Sequence, residues 1–120
     1  MIKETRDVVA YIAGRYISNL NKNSIYSYNS SEHILISGEV SENQINVFDH
    51  RTSYHVNGNS QNGEFSLFDF STSSHIKIKF NGNKFSGYDW KSCFNFDGVV
   101  KQNSITLYDY ETSSHYDYSL

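Results

Sequence analysis

The chain has 120 residues, a formal charge of −3, a sequence pI near 5.9 and a mean hydropathy of −0.58. That length fits one domain, residues 1–120, with room for a real core, and the acidic balance speaks against a surface built to neutralise nucleic-acid phosphates. No apolar run is long enough to span a bilayer, the charged start MIKETRD lacks a secretory apolar region, and one cysteine excludes an internal disulfide framework, so the expectation is a cytoplasmic protein with no membrane and no nucleic-acid partner.

Residues 1–23 carry the one helical pattern. From Thr5 to Asn21, Val9, Ile12, Ala13, Tyr16, Ile17 and Leu20 recur at the three-and-four spacing of a single apolar stripe. Thr5 is the expected N-cap, with Asp7 in the first turn where a negative charge suits the helix dipole. Gly14, in mid-helix, weakens the helix by about 1 kcal/mol relative to Ala, and close approach to a packing partner is the reading that explains it.

From residue 24 to 120 the period changes to two, and a 20-residue unit recurs without gaps, starting at Ile25, Ile45, Phe65, Phe85 and Ile105. Each unit reads as a β-hairpin: strand, polar turn, strand, polar turn. Proline is absent and aromatic residues make up 16% of the chain, which suits an unbroken, half-buried ladder. The fold class is therefore α+β, mainly β: an N-terminal amphipathic helix followed by a meander of five hairpins, strongly curved or closed, with the helix packed on it. A closed barrel, a flower of hairpins and a sheet curled around the helix all satisfy the pattern. A free edge at the last strand, His115 to Leu120, would invite a second copy, so a homodimer is expected.

The second strand of each unit alternates cleanly. Val56, Gly58, Ile76, Ile78, Phe80, Phe96, Gly98, Val100, Tyr116, Tyr118 and Leu120 are expected to point inward, while His55, Asn57, Asn59, His75, Lys77, Lys79, His115, Asp117 and Ser119 face water. The first strand is apolar on both faces: aliphatic residues or Phe at its start, an aromatic at position four (Tyr28, Phe48, Phe68, Tyr88, Tyr108), and His50, Phe70, Trp90 and Tyr110 at position six. Position four reads as core, and position six, beside the turns, stays open between core and surface.

The fifth position reads Asn29, Asp49, Asp69, Asp89, Asp109, and it opens the motif D-x-x-T-S-x-H, complete in three units and reduced to Asp89, Ser92, Cys93, Asn95 in the fourth. An Asp before a tight turn accepts bonds from backbone N–H groups two or three residues on, and Thr and Ser support the same turn. Asp49, Thr52, Asp69, Thr72, Asp89, Asp109 and Thr112 are thus structural turn residues. A catalytic assembly of Asp109, Ser113 and His115 is the weakest reading, because a triad is one assembly and is not repeated in every hairpin. No metal and no cofactor is expected, since His55, His75 and His115 would stand two strands apart, roughly 9 to 10 Å, and zinc needs its ligands within about 2 Å.

Two resemblances touch only the period and a dipeptide. The aromatic 20-residue hairpin is similar to bacterial choline-binding and glucan-binding repeats, and the Tyr-Asp pairs resemble the YD repeats of large secreted toxins. The paired Trp and Gly of the first and the Gly-Arg of the second are absent, and no functional residue carries over. The reading is a non-enzymatic hairpin-repeat domain acting as a protein-interaction or structural module. Its alternative is a carbohydrate-binding module, partnered by a glycan, in which Tyr88, Trp90, Tyr108 and Tyr110 stack on sugar rings.

Overall fold

A computed structural model describes every residue from Met1 to Leu120. One helix, α1 (Lys3–Ser18), is followed by ten antiparallel strands: β1 (Ser24–Ser27), β2 (Glu32–Val40), β3 (Gln44–Asp49), β4 (Tyr54–Gln61), β5 (Glu64–Asp69), β6 (Ser74–Asn81), β7 (Lys84–Asp89), β8 (Phe94–Lys101), β9 (Ser104–Asp109) and β10 (Ser114–Ser119). Each strand pairs with the next, and β10 returns to pair with β1, closing a barrel. The meander and its five hairpins are those of the repeat.

The helix is inside this barrel. Val8, Val9, Ala10, Tyr11, Ile12 and Ala13 are consecutive and all buried, so every face of the helix meets wall, not just one stripe. The single stripe predicted from the sequence is therefore too narrow. Small residues at Ala10, Ala13 and Gly14 make the fit: a Cβ on Gly14 would stand 2.9 Å from Ile105 Cδ1 and 3.1 Å from Leu120 Cδ1, which is the close approach its sequence position implied.

The helix bounds also differ from those predicted. It starts at Lys3, after Ile2 as an N-cap that offers no side-chain bond, and it ends at Asn19 in a left-handed conformation. Thr5 lies inside the first turns, and its hydroxyl donates to Asp69 on the wall (2.9 Å) instead of capping. Leu20 lies past the end and is exposed.

Side-chain alternation then settles the first strands. Ile45, Val47 and Asp49 on β3 are buried toward the lumen, as are Phe65, Leu67 and Asp69 on β5 and Ile105, Leu107 and Asp109 on β9. Position four must then face outward, and Phe48, Phe68, Tyr88 and Tyr108 are half-buried on the outer wall, not in the core. The sequence could not decide this, because both faces of that strand carry rings. No second layer covers them; their neighbours on the same wall do.

The fourth unit breaks the inner pattern with Gly87 where the other units place Val47, Leu67 and Leu107. A Cβ at Gly87 would come 2.4 Å from Phe96 Cζ, and one at Gly98 would come 2.4 Å from Phe85 Cζ. Gly87 faces Phe96, and Phe85 faces Gly98, across β7 and β8. Each ring thus fills the space above the opposite glycine.

The first unit also departs. Ser27 faces Glu32 as Asp49 faces Tyr54, so this hairpin turns two residues early and buried Ser27 takes the inward place that Asp holds elsewhere. Asn29, aligned with the Asp series by the repeat, instead accepts a 2.8 Å bond from the Asp117 backbone N–H. That bond extends the seam between β1 and β10, which has only the pairs Tyr26↔Ser119 and Ser27↔Tyr118. The last strand is therefore not a free edge, and the edge pairing on which a homodimer was expected has nothing to use.

No helix is long and apolar enough to cross a membrane. On the wall, polar Asn46, Asn59, Ser66, Lys77, Lys79 and Asp117 face outward around an apolar lumen, the reverse of the alternation of a lipid-facing barrel.

Candidate functional site

Two regions concentrate chemistry, one sealed and one open. The sealed region is the barrel end where the helix begins. Asp7, Asp49, Asp69, Asp89 and Asp109 are all buried there, beside a helix N-terminus whose partial positive charge favours carboxylates. Asp7 accepts bonds from Lys3 Nζ (2.8 Å), Arg51 Nη1 (2.8 Å) and the Tyr118 hydroxyl (2.7 Å). Arg51 also grips both oxygens of Asp49, at 3.1 and 2.9 Å. Burial works against the Arg51 charge, but the bonds to Asp49 and Asp7 hold its pKa above the ordinary arginine range. Asp109 is bound by the Met1 α-amino group (3.1 Å) and Arg6.

The same Asp residues hold the turns: Oδ1 of Asp49, Asp69, Asp89 and Asp109 accepts the backbone N–H of Arg51, Ser71, Lys91 and Glu111, at 2.9 to 3.2 Å. Thr52, Thr72 and Thr112 reach back to the Asp carbonyl at 3.4 Å. Ser53, Ser73, Cys93 and Ser113 follow with φ between 53° and 64°, a left-handed turn residue that L side chains other than Asn and Asp rarely supply.

Asp and His of the repeated motif are on opposite faces. Asp109 pairs with Ser114 and points into the lumen, whereas His115 pairs with Tyr108 and is exposed outside. Ser113 is in the turn. The three groups of a triad are therefore not brought together. No group of three or more His, Cys, Asp or Glu is placed to hold a metal ion.

The open region is the outer wall around the same end. Pairs of rings meet edge to face in every full unit: Phe48 with His50 (5.0 Å), Phe68 with Phe70 (4.8 Å), Tyr88 with Trp90 (4.7 Å) and Tyr108 with Tyr110 (4.8 Å). Histidines His55, His75 and His115 pack on the first ring of each pair, with Asn95 in their place beside Tyr88. No family model, curated protein or solved structure matches this chain. What the outer wall can do rests on its own geometry.

Nine large apolar side chains are exposed in the whole protein. Eight of them, Ile2, Tyr28, Leu35, Tyr54, Phe70, Trp90, Phe94 and Tyr110, ring this one end, and the ninth, Leu20, is at the other. Of the four residues singled out as sugar platforms, Trp90 and Tyr110 are exposed just past the ends of β7 and β9, and Tyr88 and Tyr108 are half-buried on those strands, with β8 between the two pairs. The Tyr110 hydroxyl donates to Asp97 (2.6 Å), and that bond raises its pKa. Lys77 Nζ lies 5.9 Å from the centre of the Trp90 ring.

Sequence reasoning passed over Lys77, Lys79, Lys84, Ser86 and Asp97, which register brings beside those rings: Lys79 faces Ser86, Ser86 faces Asp97 and Asp97 faces Tyr108. Their signal was available as a run of lysines, of which only Lys77 meets an acid, Glu64 at 3.5 Å.

Proposed function

We propose that this chain is a non-enzymatic binding module that docks a protein partner on the aromatic end of its barrel. The observation that carries the reading is the segregation of eight of the nine exposed large apolar side chains to that end. A helix-filled lumen offers no space for a substrate, so accessible chemistry is confined to the outer surface. Tyr, Trp and Phe at the rim supply rigid, amphipathic contact area, the kind that dominates protein interfaces. A cytoplasmic location belongs to the same reading, because the one cysteine is exposed and free; cell fractionation checks it.

The test is site-specific photocrosslinking from positions 54 and 94 at the rim, in cells. A discrete adduct whose yield falls when Phe70 and Trp90 are both changed to Ser, in a variant that still melts cooperatively, supports the reading. An adduct yield unaltered by that double change overturns it.

A further inference from the structure

Of the ten cationic side chains, Lys3, Arg6, Arg15 and Arg51 are engaged with the helix and the barrel ends, and Lys22 follows the helix. The other five, Lys77, Lys79, Lys84, Lys91 and Lys101, all fall on β6 to β8 and their turns. The acids in that stretch are Asp89, which is buried, and Asp97, and from the adjoining β5 Glu64 pairs with Lys77 at 3.5 Å, which leaves Lys79, Lys84, Lys91 and Lys101 without an acidic partner. One quadrant of an acidic protein is therefore basic. Across it runs an open groove of about 740 Å³ lined by Lys79, Lys84, Ser86, Asp97, Tyr108 and His115. It joins, at Lys79, Ser86 and Asp97, a smaller hollow of about 280 Å³ that reaches Tyr88, Tyr110 and the Lys77–Glu64 pair. The floor is low because Ser86 and Asp97 are short, and the walls are high because Lys77 and Lys79 stand on one side and Tyr108 and Tyr110 on the other.

The geometry points to this groove as a binding site for an acidic oligosaccharide, one whose sugar rings carry carboxylates. The walls divide the work. Lysines of β6 and β7 meet the carboxylates, and Tyr108 and Tyr110 offer apolar ring surface to the sugar faces. Asp97 decides against a bare polyanion. Its Oδ2 is taken by Tyr110, and Oδ1, with no protein partner, is an acceptor in the middle of the floor. A carboxylate there repels a phosphate chain but accepts sugar hydroxyls, and Ser86 and Thr106 beside it add hydroxyl partners. From β6 to β10 the groove crosses four strand spacings, roughly 19 Å, enough for a short oligosaccharide. This inference does not rest on protein docking at the rim; the two surfaces share Tyr110, and Phe70, outside the groove, separates them.

The experiment is titration of the intact protein with an oligogalacturonate, read by calorimetry and by Trp90 fluorescence, beside its neutral methyl ester and inorganic polyphosphate. Binding of the oligogalacturonate is expected, in preference to both comparators. The double change Lys79→Gln and Lys84→Gln, and separately Tyr108→Leu, should each weaken it on the order of tenfold, while Phe70→Ser leaves it unchanged. Thermal melts confirm that each variant is folded. Absence of binding overturns the proposal. So does equal affinity for polyphosphate with no loss in Tyr108→Leu, which would reveal simple charge attraction, and so does equal affinity for the neutral ester.

Discussion

Arg51, in the turn between β3 and β4, reaches through the barrel end to Asp7 on the helix, 2.8 Å away and 44 residues earlier in the chain. The same guanidinium holds Asp49 at the end of β3. One side chain thus locks helix to wall. Changing Arg51 to Ala removes the bridge and leaves Asp49 buried without its cation, while Asp7 keeps Lys3 and Tyr118. The expected loss is about 2 to 3 kcal/mol, at the low end for a broken buried pair because Arg51 is partly exposed. Urea unfolding monitored by Trp90 fluorescence measures it.

The four equivalent aspartates should differ in what they contribute. Asp49 meets a guanidinium, whereas the only side-chain bond recorded for Asp89 is from the Lys91 backbone N–H, at 3.2 Å, and no cation is paired with it. Asn preserves the turn acceptor in both places. Asp49→Asn is expected to cost about 1 to 2 kcal/mol and Asp89→Asn less than about 0.5 kcal/mol. Equal losses in a denaturant series would show that the turn, not the ion pair, sets the cost.

Helix propensity predicts that Gly14→Ala stabilises by about 1 kcal/mol. The barrel reverses that expectation. The new methyl would sit 2.9 and 3.0 Å from Ile105 Cδ1 and Cγ1 and 3.1 Å from Leu120, so the net effect is a loss of about 1 to 2 kcal/mol from overpacking. A higher melting temperature in this variant would mean that the wall yields.

Alkali should unfold the barrel from within. Burial, and then the Asp7 charge, push the Tyr118 phenol well above its ordinary value, and burial raises Tyr11 as well. A group whose folded pKa is raised contributes stability that is whole below its unfolded value, about 10, and that is lost as pH climbs from there toward the folded value. Stability should thus fall steadily above pH 10. Tyr118→Phe loses the bond to Asp7, about 1 kcal/mol, but should flatten that alkaline decline in urea midpoints measured against pH.

Much of this was legible in the residues because hairpins are local. The 20-residue period set the number of hairpins and the place of the turn in the last four of them, and alternation along the second strands set Ile76, Ile78 and Phe96 inward without reference to anything distant. The requirement for small size at Gly14 was readable too, though not what it meets.

Other features were decided only when the strands closed. Phe48 and Phe68 lie outside because Val47 and Leu67 must fill the lumen, a choice that a strand with rings on both faces cannot make alone. The helix lies within the barrel because five twisted hairpins curve far enough for β10 to meet β1, and that closure replaced the expected free edge with the seam held by Asn29. Asp49 and Asp109 follow the same logic: the sequence reveals their bonds to the turn, two residues away, but not Arg51 meeting Asp7 or Arg6 meeting Asp109. The groove, likewise, joins lysines and tyrosines from β6, β7 and β9. Local order follows from alternation and turn chemistry, whereas these long-range meetings depend on barrel curvature and register, which no single stretch of the chain contains.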